Sequence, residues 1–346
     1  MRYCTREQVK GALDVAETAR ADTQIDRLIG AASRAVEGLT HRRFYPELAT
    51  RSFDWPNPSS RRPWRLWLDQ HELIELTAIA VDGTNLDLAG VFVEPAADGP
   101  PFTRIELDRS ATTSSFGYGT TPQRRIAVTG LWGYRADTAP AAQLAAQLTD
   151  SATTVDITAS AEVGVGSLLQ IEDERMQVTG RAMLTTGQTL QAPLTGNKAD
   201  TSVQVVDGTG FVVGEVVLVD AERMLIVDIA SNTLVVRRAF DGSTLAGHTV
   251  AATVYAARRL TVTRGVLGTT AVAHLANTPM LRHVVPELVE QLTIAETLVG
   301  LGRQQSGYAR VVGSGDAIRA APGGDIRDLR DQVRTRYGRK ARRKAV

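Results

Sequence analysis

The chain has 346 residues, 43% of them hydrophobic and 22% charged, with a formal net charge of +1. These values exclude a disordered polyelectrolyte and a polycation, so any electrostatic partner must be met by a local patch. The single cysteine, Cys4, excludes an intramolecular disulfide and a cysteine-based zinc site.

The opening "MRYCTREQ" has no apolar h-region, and no uncharged apolar run reaches about 18 residues. A soluble product made in a cytoplasm, without membrane contact, is the expectation. Thr5 and Gln8 have capping-box spacing and start a short helix, with Cys4 as a small residue beside it. A second helix is expected from Asp22, because Ile25, Leu28, Ile29, Ala32, Val36 and Leu39 share one face. "HRRFYPE" closes it. From Ala49 the pattern changes to short strands, and Asp82-Gly83 between two apolar runs signals a hairpin.

The region Thr138–Thr278 reads as β almost throughout and contains internal repeats. "VGSLLQIEDERMQVTG" (165–180) aligns with "VGEVVLVDAERMLIVD" (213–228) at an offset of 48, matching Gly166 with Gly214, Glu174 with Glu222 and Arg175 with Arg223. Such detail implies a supersecondary unit used twice. The pattern reads as a β-hairpin with Glu-Arg at or just past its turn. A second phrase, "RRAFDGSTLAGH" (237–248), recurs as "TRGVLGTTAVAH" (263–274) at an offset of 26, matching Arg238 with Arg264, Gly242 with Gly268 and His248 with His274. It reads as a strand followed by a turn in which Gly242 and Gly268 need positive φ. On that reading Gly242→Val destabilises more than His248→Gln.

Pro286 opens a further helix whose stripe is Leu288, Val289, Leu292, Ala295, Leu298, Val299 and Leu301. Residues 313–324 read as a linker, and Asp325 caps a last helix. Residues 332–346 carry seven basic residues and no acid: Arg334, Arg336, Arg339, Lys340, Arg342, Arg343 and Lys344. Leu329, Val333 and Tyr337 recur at helical spacing and favour an amphipathic segment docking on protein over a nucleic-acid arm.

His248 and His274, with Asp241 nearby, are the residues a hydrolase would use. Leu267 stands at the Asp241 position in the second phrase, so the acid is not kept. No nucleophile elbow, zincin motif, Walker A or dinucleotide fingerprint is present. Histidines that close turns explain the repeat equally well. Glu174-Arg175 and Glu222-Arg223 point to opposite faces of their strands, so each Glu is expected in a cross-strand or inter-subunit salt bridge and not with its neighbour. Two equivalent carboxylates do not make one asymmetric acid–base pair. His41, His71 and His283 lack metal spacing, and Trp55, Trp64, Trp67 and Trp132 read as core or interface residues. No catalytic residue, metal or cofactor is expected.

The stretches "YCTREQVKGAL", "DTQIDRLIGAASRAVEGLTHRRFYP", "LTAIAVDGTNLDL", "VFVEP" and "RRIAVTGLWGY", with the helix led by "VVPELVEQL", resemble the head–tail adaptor (connector, or head completion) proteins of long-tailed bacteriophages. The match covers about 1–137 and 280–310. "GEVVLVDAERMLIVDI" with "NTLVVRRAFDGSTLAGH" resembles a β module of phages of actinobacteria, an insertion that simple members of the adaptor family lack. The resemblance implies a virion protein at the head–tail junction, assembled in the host cytoplasm as a homo-oligomeric ring, usually of twelve copies, beneath the portal. Such a ring extends the DNA channel without sequence-specific DNA binding and offers a platform to the next neck or tail-terminator protein. By position, the family's portal-reaching segment corresponds to the tail, with Arg327, Leu329, Arg330, Val333, Arg334, Arg336, Tyr337, Arg339, Lys340, Arg342, Arg343 and Lys344.

The expected fold is α+β: a helical adaptor core with a small antiparallel β part, interrupted by a β-rich insertion, and a C-terminal extended or helical tail. The expected segments are 1–137 (adaptor core), 138–279 (insertion), 280–312 (completing helix) and 313–346 (linker and portal-docking tail). The helix at 286–302 is expected to cover the strands and helices of 1–137. Two other classes stay open: a hydrolase using the inserted domain, and a carbohydrate- or receptor-binding decoration, for which that domain offers only Phe211, Phe240 and Tyr255 as aromatics.

Overall fold

The computed structural model describes residues 1–13, 22–56, 62–110, 116, 121–305, 311–312, 319–320 and 326–339. The chain forms two compact units, one of 41–137 with 267–269 and one of 1–40, 138–266 and 270–346. It begins with helices α1 (Arg6–Leu13) and α2 (Asp22–Thr40). The capping box forms as read: the Thr5 N–H donates to Gln8 Oε1 at 2.7 Å and the Gln8 N–H to Thr5 Oγ1 at 3.2 Å.

The 41–137 unit holds β1 (Glu47–Phe53), β2 (Arg65–Trp67), β3 (Leu73–Val81), β4 (Thr84–Asn85), β5 (Val91–Glu94), β6 (Arg104–Leu107) and β7 (Ile126–Trp132). They make a four-stranded sheet, β1-β7-β3-β4, and a three-stranded sheet, β2-β6-β5. Alternate residues of β7 (Ile126, Val128, Gly130, Trp132) are buried, as a half-buried strand requires. They join Phe53, Leu73, Ile79, Ile105 and Phe116 in one core. Asp82 and Gly83 both take positive φ, 52° and 82°, the backbone of a type I′ hairpin turn between β3 and β4.

The other unit is dominated by β8 (Thr138–Gln143), β9 (Thr154–Asp156), β10 (Leu168–Ile171), β11 (Glu174–Thr189), β12 (Ser202–Gln204), β13 (Val216–Val219), β14 (Glu222–Ala230), β15 (Thr233–Arg237), β16 (Thr253–Thr263) and β17 (Pro279–His283). These form one ten-stranded sheet in the order β12-β15-β14-β13-β16-β11-β10-β17-β8, with β9 on β16. The repeated hairpins share register: Leu169↔Met176 and Ile171↔Glu174 in β10–β11, Val217↔Met224 and Val219↔Glu222 in β13–β14. Their turns match as well, with Glu172 and Asp220 both at φ 51°.

The repeats are nested. An inner module, about 190–252, lies between β11 and β16, which belong to the outer one. Each module closes its own core from equivalent residues. Leu148, Val155, Ile157, Ile171, Met176 and Leu260 of the outer correspond to Leu194, Val203, Val205, Val219, Met224 and Leu234 of the inner. At about 25 cal/mol per Å² of apolar surface removed from water, such wholly buried aliphatic clusters are the main favourable term for each module.

Helix α3 (Glu287–Gln305) follows, then the short pair β18 (Val311–Val312) and β19 (Arg319–Ala320), then α4 (Arg327–Tyr337). α3 packs on the N-terminal helices, where Ile294 and Leu298 meet Cys4, Val9, Ile25 and Ile29. Gly300 permits the close approach of α2, since a Cβ there would lie 2.9 Å from Leu28 Cδ2.

The helical adaptor core is therefore corrected. The protein is mostly β, 37% strand against 22% helical, with four helices among the described residues and large antiparallel sheets. The physical reason is where apolar surface is satisfied. The strands of 41–137 close a core of their own, and the Val/Ile/Thr alternation of 138–283 builds the largest sheet. The helices cover one another and share a unit with that sheet.

Candidate functional site

Each β-module carries a cluster of buried ionisable side chains at the turn of its repeated hairpin. In the inner module Glu222 opens β14, and Arg238 directly follows β15. The Arg238 Nε and Nη2 donate to Glu222 Oε1 and Oε2, both at 2.7 Å. His248 Nε2 lies 3.0 Å from Glu222 Oε2, and its Nδ1 lies 2.7 Å from Asp220 Oδ2. The Ala239 and Ala246 N–H groups donate to the same Glu222 carboxylate at 2.9 and 3.1 Å. Arg238 Nη1 also reaches the Thr195 and Asp200 carbonyls at 3.2 and 2.9 Å.

The outer module repeats this atom for atom. Arg264 Nε and Nη2 donate to Glu174 at 2.5 and 2.6 Å, and His274 bridges Glu174 and Glu172 at 2.9 and 2.8 Å. The Gly265 and Val272 N–H groups complete the carboxylate, and Arg264 Nη1 holds the Thr149 and Ala152 carbonyls at 2.6 and 3.2 Å. Each histidine strand is further paired through both main-chain groups, His248 with Leu194 and His274 with Leu148.

The side chains of Glu174, Glu222, Arg238, His248 and His274 are fully buried, while Glu172 and Asp220 are exposed. A buried carboxylate is costly unless paired and hydrogen-bonded. Burial pushes the Glu174 and Glu222 carboxyls up, but the bidentate arginine, the histidine and the main-chain donors more than reverse it and leave each at about 2. With five donors on one carboxylate no lone pair is left for a substrate proton. Both ring nitrogens of each histidine thus lie within hydrogen-bond distance of a carboxylate oxygen. What the cluster does chemically is fasten a hairpin turn, a strand end and two loops to one buried anion.

Gly242 and Gly268 have φ of 72° and 81°, as the turn reading requires, and Gly166 and Gly214 have 110° and 88°. Asp241 is not a partner of His248: it pairs with Arg223 Nη1 at 2.5 Å and with Lys10 Nζ at 3.1 Å. Arg175 is buried on the face opposite Glu174, so neither Glu pairs with the Arg that follows it. Sequence reading missed two features. The hairpin glutamate bonds the arginine of the histidine phrase, and an acid two positions earlier, Glu172 or Asp220, holds the outer ring nitrogen. The signal was present in "EDERM" and "DAERM", which both carry that acid.

Of the other candidates, Trp132 is core and donates from Nε1 to the Ala49 carbonyl at 2.8 Å. Trp55 and Trp64 pack partly buried against the same core, and the Trp67 ring is met by the guanidinium groups of Arg65 and Arg104. His71 stacks edge-on against Phe53 and Trp132. Cys4 is buried, and burial followed by Glu290 pushes its thiol up to about 12. No group of three His, Cys, Asp or Glu suited to a metal ion occurs among the described residues. No helix among them is long and apolar enough to cross a membrane.

In α4, which packs against α2 and α3, Val333 and Tyr337 are buried, and Arg330 pairs with Glu296 at 2.5 and 2.8 Å. Leu329 and Arg330 are half-buried, whereas Arg327, Arg334 and Arg336 are exposed. The Arg339 N–H donates to the Thr40 carbonyl at 2.9 Å. Lys340, Arg342, Arg343 and Lys344 lie outside the described residues, as does Asp325. Comparison with protein-family models, curated proteins and solved structures returns no match for the chain.

Proposed function

We propose that the chain is a structural protein of the virion, a head-to-tail adaptor of a long-tailed phage. It assembles as a ring beneath the portal, extends the DNA channel and offers a docking platform to the next neck protein. The observation that carries this reading is the closure of both Glu–Arg–His clusters. Their protons and lone pairs are committed to holding loops, which is the use an assembly scaffold makes of buried charge. The sequence resemblance of the N-terminal helices and strands supports the choice of family. Since Val333 and Tyr337 are already covered, the portal-facing surface of α4 is its exposed basic side, Arg327, Arg334 and Arg336.

The test is production of phage particles with the gene disrupted, together with cryo-electron microscopy of the intact neck. The expected result is DNA-filled heads separate from complete tails, and density for a ring of this chain against the portal. Normal particles from the disrupted gene, or this chain located away from the neck, would overturn the reading.

A further inference from the structure

The inner module is carried on two long strands, β11 and β16, and the ladder between them is interrupted where the two modules meet. Ala182 pairs with Arg259 and Leu184 with Ala256, so Met183 on one strand and Ala257 and Arg258 on the other are skipped. At the same level β16 changes its second partner. Residues 254–256 pair with β13 of the inner module, and 259–261 pair with β9 of the outer one. A bulge bends the strand and disrupts the ladder locally. The seam at Met183, Ala257 and Arg258 therefore needs a fastening other than the sheet.

A carboxylate of the inner module supplies it. Glu215, which precedes β13, has a fully buried side chain. The Ser160 N–H and Oγ–H of the outer module donate to its Oε1 at 3.0 and 2.9 Å. Arg258 Nε and Nη2 donate to Oε1 and Oε2, both at 2.7 Å. Arg258 Nη2 also holds the Gly210 carbonyl at 2.6 Å, and its guanidinium lies 5.4 Å from the centre of the Phe211 ring. From the outer side, Arg181 Nη2 holds the Ser160 and Ala257 carbonyls at 3.3 and 3.4 Å.

This contact belongs to the seam and not to the module fold. Matching main-chain bonds make Ser160 equivalent to Gly208, Ser167 to Glu215 and Arg258 to Asn232: Val163 to Ser160 repeats as Phe211 to Gly208, Ser167 to Gly164 as Glu215 to Val212, and Ile157 to Arg258 as Val205 to Asn232. In the inner module Asn232 Oδ1 accepts the Gly208 N–H at 3.0 Å, so that loop is closed from within the module. In the outer module the equivalent N–H is given to Glu215 of the inserted chain, and all three positions carry a different residue. We propose that the seam is a hinge and that Ser160, Glu215 and Arg258 are its lock, which fixes the direction in which the inner module projects. A buried bidentate ion pair suits that role, because solvent ions screen it little and its planar fork adds geometric specificity.

This inference is independent of the adaptor reading. The test is pulsed electron–electron distance measurement on the full chain carrying Cys4→Ala, with spin labels at Thr154→Cys and Ser202→Cys, equivalent exposed positions of the two modules. The expected result is one narrow distance while the lock is intact. Glu215→Ser with Arg258→Asn installs the residues found at the equivalent positions, Ser167 and Asn232, and removes the lock without leaving a buried charge. The double variant should keep the near-ultraviolet circular dichroism of the folded chain, while its distance distribution becomes about twofold wider. Ser160→Ala removes one donor and no charge, and should give an intermediate width. Lys10→Gln breaks the contact of α1 with Asp241, 3.1 Å, and should leave the width unchanged. A broad distribution with the lock intact, an unchanged width in the folded double variant, or equal broadening by Lys10→Gln would overturn the proposal. If the double variant fails to fold, Ser160→Ala decides, and an unchanged width there overturns it.

Discussion

Glu222→Gln is the most informative perturbation of the inner cluster. The side chain keeps its shape but loses its charge, and half of its oxygen acceptors become donors. Arg238, whose side chain is fully buried beside Glu222, is then left as an unpaired cation. The Ala246 N–H and His248 Nε2, which share Glu222 Oε2 with Arg238, face an N–H₂ group instead. Breaking a buried pair on one side costs about 3–5 kcal/mol. For a domain of roughly 150–250 residues 1 kcal/mol moves Tm by about 2–4 °C, so a loss of about 6–20 °C is expected. The double variant Glu222→Leu with Arg238→Met should be less destabilised than the sum of its singles, because no buried charge remains uncompensated. Calorimetry gives Tm, and hydrogen exchange locates the loss. Because the inner module has a core of its own, its amides at 190–256 should open before those of 144–178. A Glu222→Gln protein within 1 kcal/mol of wild type, or a double variant worse than the sum, would refute the reasoning.

Three further outcomes follow from the same geometry. Glu174 and Glu222 fall from 4.5 to about 2 on folding, so each contributes stability that is present above pH 4.5 and lost as pH falls through 2, about 3 kcal/mol apiece; acid titration of wild type against Glu222→Gln should remove about half of that dependence, and an unchanged slope counts against it. The ranking read from sequence reverses: His248→Gln abandons two carboxylate bonds of a fully buried ring, whereas Gly242→Val costs about 1–2 kcal/mol of backbone strain at φ 72°, and denaturant midpoints decide between them. Cys4, buried and with its thiol pushed up to about 12, should react with a thiol reagent only after unfolding, and prompt reaction of the native chain would contradict its placement.

What the sequence disclosed depended on whether a signal was local. The hairpin register, the Asp82-Gly83 turn and the positive φ at Gly242 and Gly268 are short-range features, and each is visible in a few residues. The α3 stripe showed that a face is buried but not what buries it, since periodicity carries no partner. The helix at 286–302 was expected to cover both the strands and the helices of 1–137, and the residues it packs on in one core are those of α1 and α2. The Glu–Arg–His clusters lay between these cases. Every member had been marked by one repeat or the other except Glu172 and Asp220, but no local pattern states that a hairpin glutamate meets an arginine 16 residues away in one module and 90 in the other.

The unequal offsets of the two repeats explain that difficulty. A tandem duplication carries every motif forward by the same distance. Here the hairpin motif moves by 48 and the histidine phrase by 26, so the second copy of one phrase pairs with the first copy of the other. Glu222 and His248 are 26 apart, while Glu174 and His274, which enclose them, are 100 apart. Only insertion of one module between β11 and β16 of the other gives this order. The long arms of β11 and β16 run on to carry the inner module, and β16 pairs with β13 of that module as well as with β11. Each module then needs its own fastening, because loop closure across 100 residues is entropically dearer than across 26. The fastening is a buried anion with five donors, used identically at both depths. That repetition argues for structural necessity: a single chemical site would not need a second copy enclosed within the first.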